Sequence, residues 1–199
     1  MDKKTFKQIF TENWLFEMPM DTGPSTNDPY DGLLASVGSS LDNDLRPRII
    51  NDLYVLYIDS KDIYCWYGDF EIIANLSTFN KGLAIELVGK KAGSPIHASD
   101  FYQKIVKATN GALLFSGNSM SNEAFKTWSY LLKDGGSLMV YDPTNTKDFV
   151  KISTIDDLKQ FYAKHIDYQK YRYVLSENIN EVFSDFTLMR TYLLSLNNS

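Results

Sequence analysis

Apolar positions recur at helical spacing at the start of the chain. Phe6, Ile9, Phe10 and Trp14 fall on adjoining faces of an amphipathic helix predicted from Thr5 to about Phe16. Residues 19–48 then lose that regularity and are rich in Pro, Gly, Asp and Asn, so they are expected to form a loosely structured acidic segment. Within it, YDGLLASVGSSL from Tyr30 to Leu41 has the spacing of a short helix, weakened by Gly32 and Gly38. From Asp52 the period changes. DLYVLYIDS, DIYCWYG, FEIIANLS and GLAIELVG are β-branched and aromatic runs parted by turn residues. Asp59-Ser60-Lys61-Asp62 and Gly68-Asp69 are too short to carry a parallel crossover, so these strands are predicted to pair antiparallel as a meander over about 52–88.

After Pro95 helix and strand alternate. A helix over Ser99–Ala108, the strand ALLFSG, a helix over Ser121–Lys133 and the strand SLMVYD follow in order, which is a βαβ signature over about 112–141. Phe125, Trp128, Leu131 and Leu132 share one side of the second helix, and Gly135-Gly136 stops it. DFVKIS returns as a strand. Ser153 or Thr154 caps a further helix through Lys164, with Asp156 and Asp157 in its first turn. A last helix starts near Asn178, three residues before Glu181 in capping-box spacing. It carries Val182, Phe183, Phe186, Met189, Tyr192 and Leu193, an apolar stripe that the sheet or a partner must cover. The expected architecture is α+β (mixed α/β): one domain over 1–199, with a meander continued by a βαβ unit and flanked by helices that include both termini.

Composition narrows the function classes. Hydrophobic residues at 44% and charged residues at 23% are ordinary globular usage, which argues against disorder. One cysteine, Cys65, excludes an intramolecular disulfide framework and fits a reducing compartment; with no secretory-type apolar leader and no apolar run of bilayer length, a cytoplasmic location and no membrane partner are expected. A net charge of −5 argues against direct nucleic-acid binding. That charge is unevenly placed. Glu12, Glu17, Asp21, Asp28, Asp31, Asp42 and Asp44 lie in a stretch without Lys or Arg from Glu12 to Leu45, interleaved with the aromatic anchors Trp14 and Tyr30. An acidic rim around apolar anchors suits a basic protein partner. The leading expectation is therefore a protein-binding module, of the type of an inhibitor or immunity protein that occludes a basic enzyme or toxin; the plain alternative is a solvated acidic surface.

Three patterns offer other chemistry. Cys65, His97 and Asp142 are the parts of a cysteine hydrolase, although IYCWY is a strand context, where a lone thiol is usually a packed apolar group. FSGNSMSNE runs from a strand into a helix start, where backbone N–H groups with Ser116, Gly117, Asn118, Ser119 and Ser121 suit an anionic ligand. It matches no nucleotide-binding motif, and a tight turn at Gly117 with a serine cap explains it as well. Asp142 would share that sheet edge if its strand lies beside 112–117, as in ligand-binding open sheets. The two histidines, His97 and His165, show no metal-ligand spacing, so neither a metal nor a cofactor is expected. Association of copies through the last helix or an exposed edge strand is the remaining class.

Overall fold

The computed structural model describes residues 29–80, 82–109, 111–117, 120–142, 149–162 and 171–177. In chain order these form α1 (Pro29–Asp42), β1 (Arg48–Ile50), β2 (Leu53–Tyr57), β3 (Ile63–Tyr67), β4 (Ile72–Phe79) and β5 (Gly82–Lys90). There follow α2 (Ala98–Ala108), β6 (Leu113–Phe115), α3 (Asn122–Lys133), β7 (Ser137–Tyr141), β8 (Phe149–Lys151), α4 (Ile155–Gln160) and β9 (Arg172–Ser176). One mixed sheet carries nine strands in the order β1-β2-β3-β4-β5-β6-β9-β7-β8. The fold is α+β, with the meander over β2–β5 antiparallel throughout. The helices predicted from Thr5 and from Asn178 lie outside the described residues, as does His165.

Among the described residues the one parallel pair is β5 with β6, joined by α2 as crossover. The second crossover, through α3, does not deliver β7 beside β6. Strand β9, late in the sequence, lies between them and is antiparallel to both, so β6 and β7 run in the same direction one strand apart. β1 adds a short outer hairpin to β2. Its two-residue loop, Asn51-Asp52, has positive φ at both positions (50° and 65°), the backbone of a turn whose twist matches that of the strands.

Period-two alternation sorts the strand residues onto two faces. On one face Leu53, Cys65, Ile72, Leu76, Leu83 and Leu114 pack with Phe101 and Ile105 of α2, Phe125, Trp128 and Leu131 of α3, and Leu158 of α4. On the other, Leu56, Tyr64, Trp66 and Ile73 receive Tyr30, Leu33 and Val37, the i, i+3, i+7 stripe of α1. α1 sits close because Gly89 lacks a side chain; a Cβ there would stand 2.4 Å from the Cα of Tyr30. Farther along this face a third cluster joins Ala84, Leu113, Phe115, Met139, Tyr141 and Val174, flanked by Phe79 and Phe149.

The sheet is strongly bent toward that face. Four strand positions separate β4 from β7, about 19 Å in a flat sheet. Yet the rings of Phe79 and Tyr141 lie 6.2 Å apart, with Phe115 edge-on to both at 5.1 Å and 5.6 Å.

Candidate functional site

The bend has a local origin. β5 pairs with β4 along its whole length, but the register jumps: Leu76 faces Ile85 and Asn75 faces Leu87, so Glu86 is the extra residue of a β-bulge. A bulge increases twist and bends the strand that carries it. On its other side β5 pairs with β6 only through Gly82, Leu83 and Ala84, matched to Leu113, Leu114 and Phe115. The pairing stops where the bulge begins. The lower contact is intimate: a Cβ on Gly82 would stand 2.1 Å from the carbonyl oxygen of Leu113.

Above Phe115 the chain is drawn the other way, toward β9. The N–H of Ser116 donates to Tyr173 O (2.8 Å), Tyr173 N–H donates to Ser116 Oγ (3.0 Å), and Arg172 Nη1 donates to Ser116 O (2.8 Å). The two parallel strands therefore part. Among the described residues no strand pairs with β5 from Ile85 to Lys90 on the β6 side, which leaves a row of backbone donors and acceptors along one wall of a notch.

The notch opens at the carboxyl ends of β5 and β6, beneath the segment that leads into α2. Lys90 ends β5 and is exposed, Lys91 follows it with its Nζ 3.8 Å from Glu71 Oε1 beside β4, and Gly93 turns the chain with φ 79°. His97 then precedes α2, and its side chain makes no capping hydrogen bond, so the first N–H groups of an 11-residue helix are not closed off by it. α3 and α4 differ. Ser121 Oγ accepts from Ala124 N–H at 3.2 Å, and Thr154 and Asp157 form a reciprocal capping box.

At the narrow end of the notch Glu86 is exposed and accepts a 2.5 Å hydrogen bond from Ser77 Oγ. Arg172 is buried nearby, its guanidinium 4.2 Å from the Phe79 ring. Burial lowers its pKa, and the negative charge of Glu86 partly offsets that effect.

Most residues singled out in the sequence hold the fold. Cys65 is 1% exposed in mid-strand between Val55 and Ala74, and burial pushes its thiol up to about 12, so it is no ready nucleophile. Asp142 follows β7, five strand positions from β3, and His97 is exposed ahead of α2. The three groups of a cysteine hydrolase are not brought together. Ser116 is buried and spent on β9, Ser121 caps α3, and Gly117 lies half-buried at the mouth of the notch; Asn118 and Ser119 lie outside the described residues. Asp142 shares the carboxyl edge with Gly117, although β9 intervenes.

Of the acidic set, Asp31, Asp42 and Asp44 are exposed on α1 and just beyond it, with Asp44 2.8 Å from Arg46. Tyr30 is not a surface anchor: it packs under α1, and its hydroxyl donates to Phe70 O at 2.9 Å. Glu12, Trp14, Glu17, Asp21 and Asp28 lie outside the described residues.

The residues that shape the notch went unmarked in the sequence. A signal for the bulge exists, since Leu83 and Ile85 keep period two and Val88 then resumes on the same face, one residue out of phase. No such signal marks Arg172. Among the described residues no three His, Cys, Asp or Glu side chains group as metal ligands would, and no helix is long and apolar enough to cross a membrane. A cavity of about 390 Å³ lies at the opposite edge of the sheet, lined by Lys107, Asp134, Gly136 and Glu177 among others, away from the notch. Comparison with protein-family models, with curated proteins and with solved structures finds no match to this chain.

Proposed function

We propose that the protein binds a small ligand in the notch between β5 and β6, and that this ligand is a group carrier of the coenzyme A type. The observation that carries the reading is the bulge at Glu86, beyond which the β6-side edge of β5 from Ile85 to Lys90 has no strand partner among the described residues. An unpaired strand edge is complemented by an extended molecule that presents amides, as in β-strand addition. The free stretch spans roughly 17 Å at about 3.3 Å per residue, the scale of an extended arm carrying two amides. At its open end Lys90 and the start of α2 suit phosphate groups. A crevice at the carboxyl ends of parallel strands, where the order of an open sheet switches, is also where such sheets tend to take ligands.

Glu86 at the inner end suggests the chemistry. When the carried group is an acyl thioester, a bound amine attacks the thioester carbonyl, the amine proton passes to the Glu86 carboxylate, and the C–S bond breaks to release the thiolate.

Calorimetric titration with coenzyme A and with adenosine 3′,5′-bisphosphate, which lacks the arm, tests the reading. Coenzyme A should bind the more tightly. The substitution Lys90→Glu should weaken it about fivefold or more while leaving the thermal midpoint in place, because that side chain is exposed. No heat of binding with coenzyme A at millimolar concentration would dispose of the proposal.

A second reading, a module that binds a basic protein, draws on the exposed acids of α1. Asp31, Asp42 and Asp44 are solvent-facing, while Tyr30, Leu33 and Val37 fix the helix to the sheet. Charge reversal of those three acids should release a partner captured at low salt; capture that persists unchanged excludes them as its contact.

A further inference from the structure

We infer that the cavity at the C-terminal ends of α2 and α3 is a second binding site, and that it takes a zwitterionic ligand, an α-amino acid with an apolar side chain. The cavity measures about 390 Å³ and is bounded by the last turns of α2, the turn over residues 134–137 and the end of β9. Sites for small molecules occupy about 300–1,000 Å³, so an amino acid fits within it.

The topology gathers charge at this place. α2 and α3 both pack on the same face of the sheet and lead back to the edge where β6 and β7 begin, which is also where β9, antiparallel to both, finishes. A helix C-terminus carries partial negative charge, and two of them end here. Asp134, directly after α3, and Glu177, directly after β9, add two carboxylates to the cavity wall. These four negative features favour an ammonium group.

Lys107, in the last turn of α2, brings the opposite charge to the same wall. Among the described residues it forms no ion pair with Asp134 or Glu177. Charges of both signs therefore face one cavity without neutralising each other, and a zwitterion complements that arrangement: its carboxylate pairs with Lys107 and its ammonium group with Asp134 and Glu177. Lys107 would repel a simple amine, and the two carboxylates with both helix ends would repel a simple anion. Gln103, half-buried and one turn before Lys107 on α2, supplies an amide that can donate to the ligand carboxylate. The inner wall is apolar. Val106 and Leu175, 1% and 3% exposed, belong to the main core cluster and offer a surface on which the ligand side chain is taken out of water.

Calorimetric titration of the full chain with L-phenylalanine tests the assignment against 2-phenylethylamine, which lacks the carboxylate, and 3-phenylpropionate, which lacks the ammonium group. L-phenylalanine should bind about tenfold or more tightly than either. Lys107→Gln should weaken L-phenylalanine and spare 2-phenylethylamine, whereas Asp134→Asn combined with Glu177→Gln should weaken L-phenylalanine and spare 3-phenylpropionate. All three side chains are exposed, so the thermal midpoint should stay in place in both variants. No heat of binding with L-phenylalanine at millimolar concentration overturns the proposal, as does 2-phenylethylamine binding equally well, or binding that neither variant alters. Lys90→Glu, at the other edge of the sheet, should leave L-phenylalanine binding unchanged, so a failure here is distinct from a failure to bind coenzyme A.

Discussion

Cys65, Tyr102 and Tyr173 are buried acids whose neutral forms the fold protects. Burial raises all three pKa values: Cys65 to about 12 from 9.0, and both tyrosines above their ordinary value of 10.0. Tyr173 is also anchored, its hydroxyl donating to Leu158 O at 2.7 Å. The unfolded chain releases these protons first. Their stabilising effect is therefore complete below about pH 9 and is lost as pH rises from 9 toward and beyond 12, by about 1.4 kcal/mol per pH unit for each group ionised only when unfolded. The urea midpoint should fall steeply above pH 9, and iodoacetamide should label Cys65 at pH 8 only as fast as the protein opens. Rapid labelling of the folded protein, or a midpoint level to pH 10.5, would contradict this account. The packed role of Cys65 was legible in IYCWY, because an apolar strand offers nothing to stabilise a thiolate. Tyr30 was not legible, since a tyrosine anchoring a partner and one anchoring its own helix have the same local chemistry.

At the scale of elements, the meander was readable because its contacts are local: short polar loops between alternating runs leave one pairing. Asp59 illustrates the mechanism, its carboxylate accepting from Lys61 N–H (2.6 Å) and Asp62 N–H (3.1 Å) to fold the β2–β3 connection. Asn51-Asp52 carries the corresponding signal for β1, but Arg48–Ile50, at three residues, is too short to show an alternation of its own. β9 had no local signal for its place. That a strand at 172–176 enters between β6 and β7 follows from packing across the whole sheet. The bulge at Glu86 offers a direct element-scale test, because deleting Glu86 leaves Asn75 opposite Leu87 and Ala74 opposite Val88 while removing the extra residue. The shortened β5 should run straighter, its pairing with β6 should extend beyond Ala84, and coenzyme A binding should vanish with little change in thermal stability. Retained binding would show that the notch does not depend on the bulge.

For the whole molecule, the bulge and the early end of β6 divide one sheet into two arms. In the meander arm the strands β1–β5 pair with their chain neighbours, and α1 packs across them. The crossover arm, β6–β9 with α3 and α4, is built from distant contacts, including the three bonds from Ser116 to β9. Three matched residue pairs join the arms within the sheet, and α2 spans both, packing on β2, β6 and β9. Gly82 is the point on which that junction turns, because any side chain there strikes the carbonyl of Leu113. Gly82→Val should therefore force β6 away and weaken the coupling between the arms, at a cost of about 2 kcal/mol or more. Trp66 reports on the α1 side of the meander and Trp128 on α3, so fluorescence can follow each arm once Trp14 and the other tryptophan are replaced by Phe. In the parent chain the two probes should give coincident urea transitions, the behaviour of a single cooperative unit. In Gly82→Val the Trp128 transition should move to lower urea than that of Trp66, since the crossover arm depends on long-range pairing that β5 templates. Coincident transitions in the variant would mean that α2 and the shared core couple the arms without help from the β5–β6 ladder, and that ligand binding in the notch has little leverage on the stability of the whole.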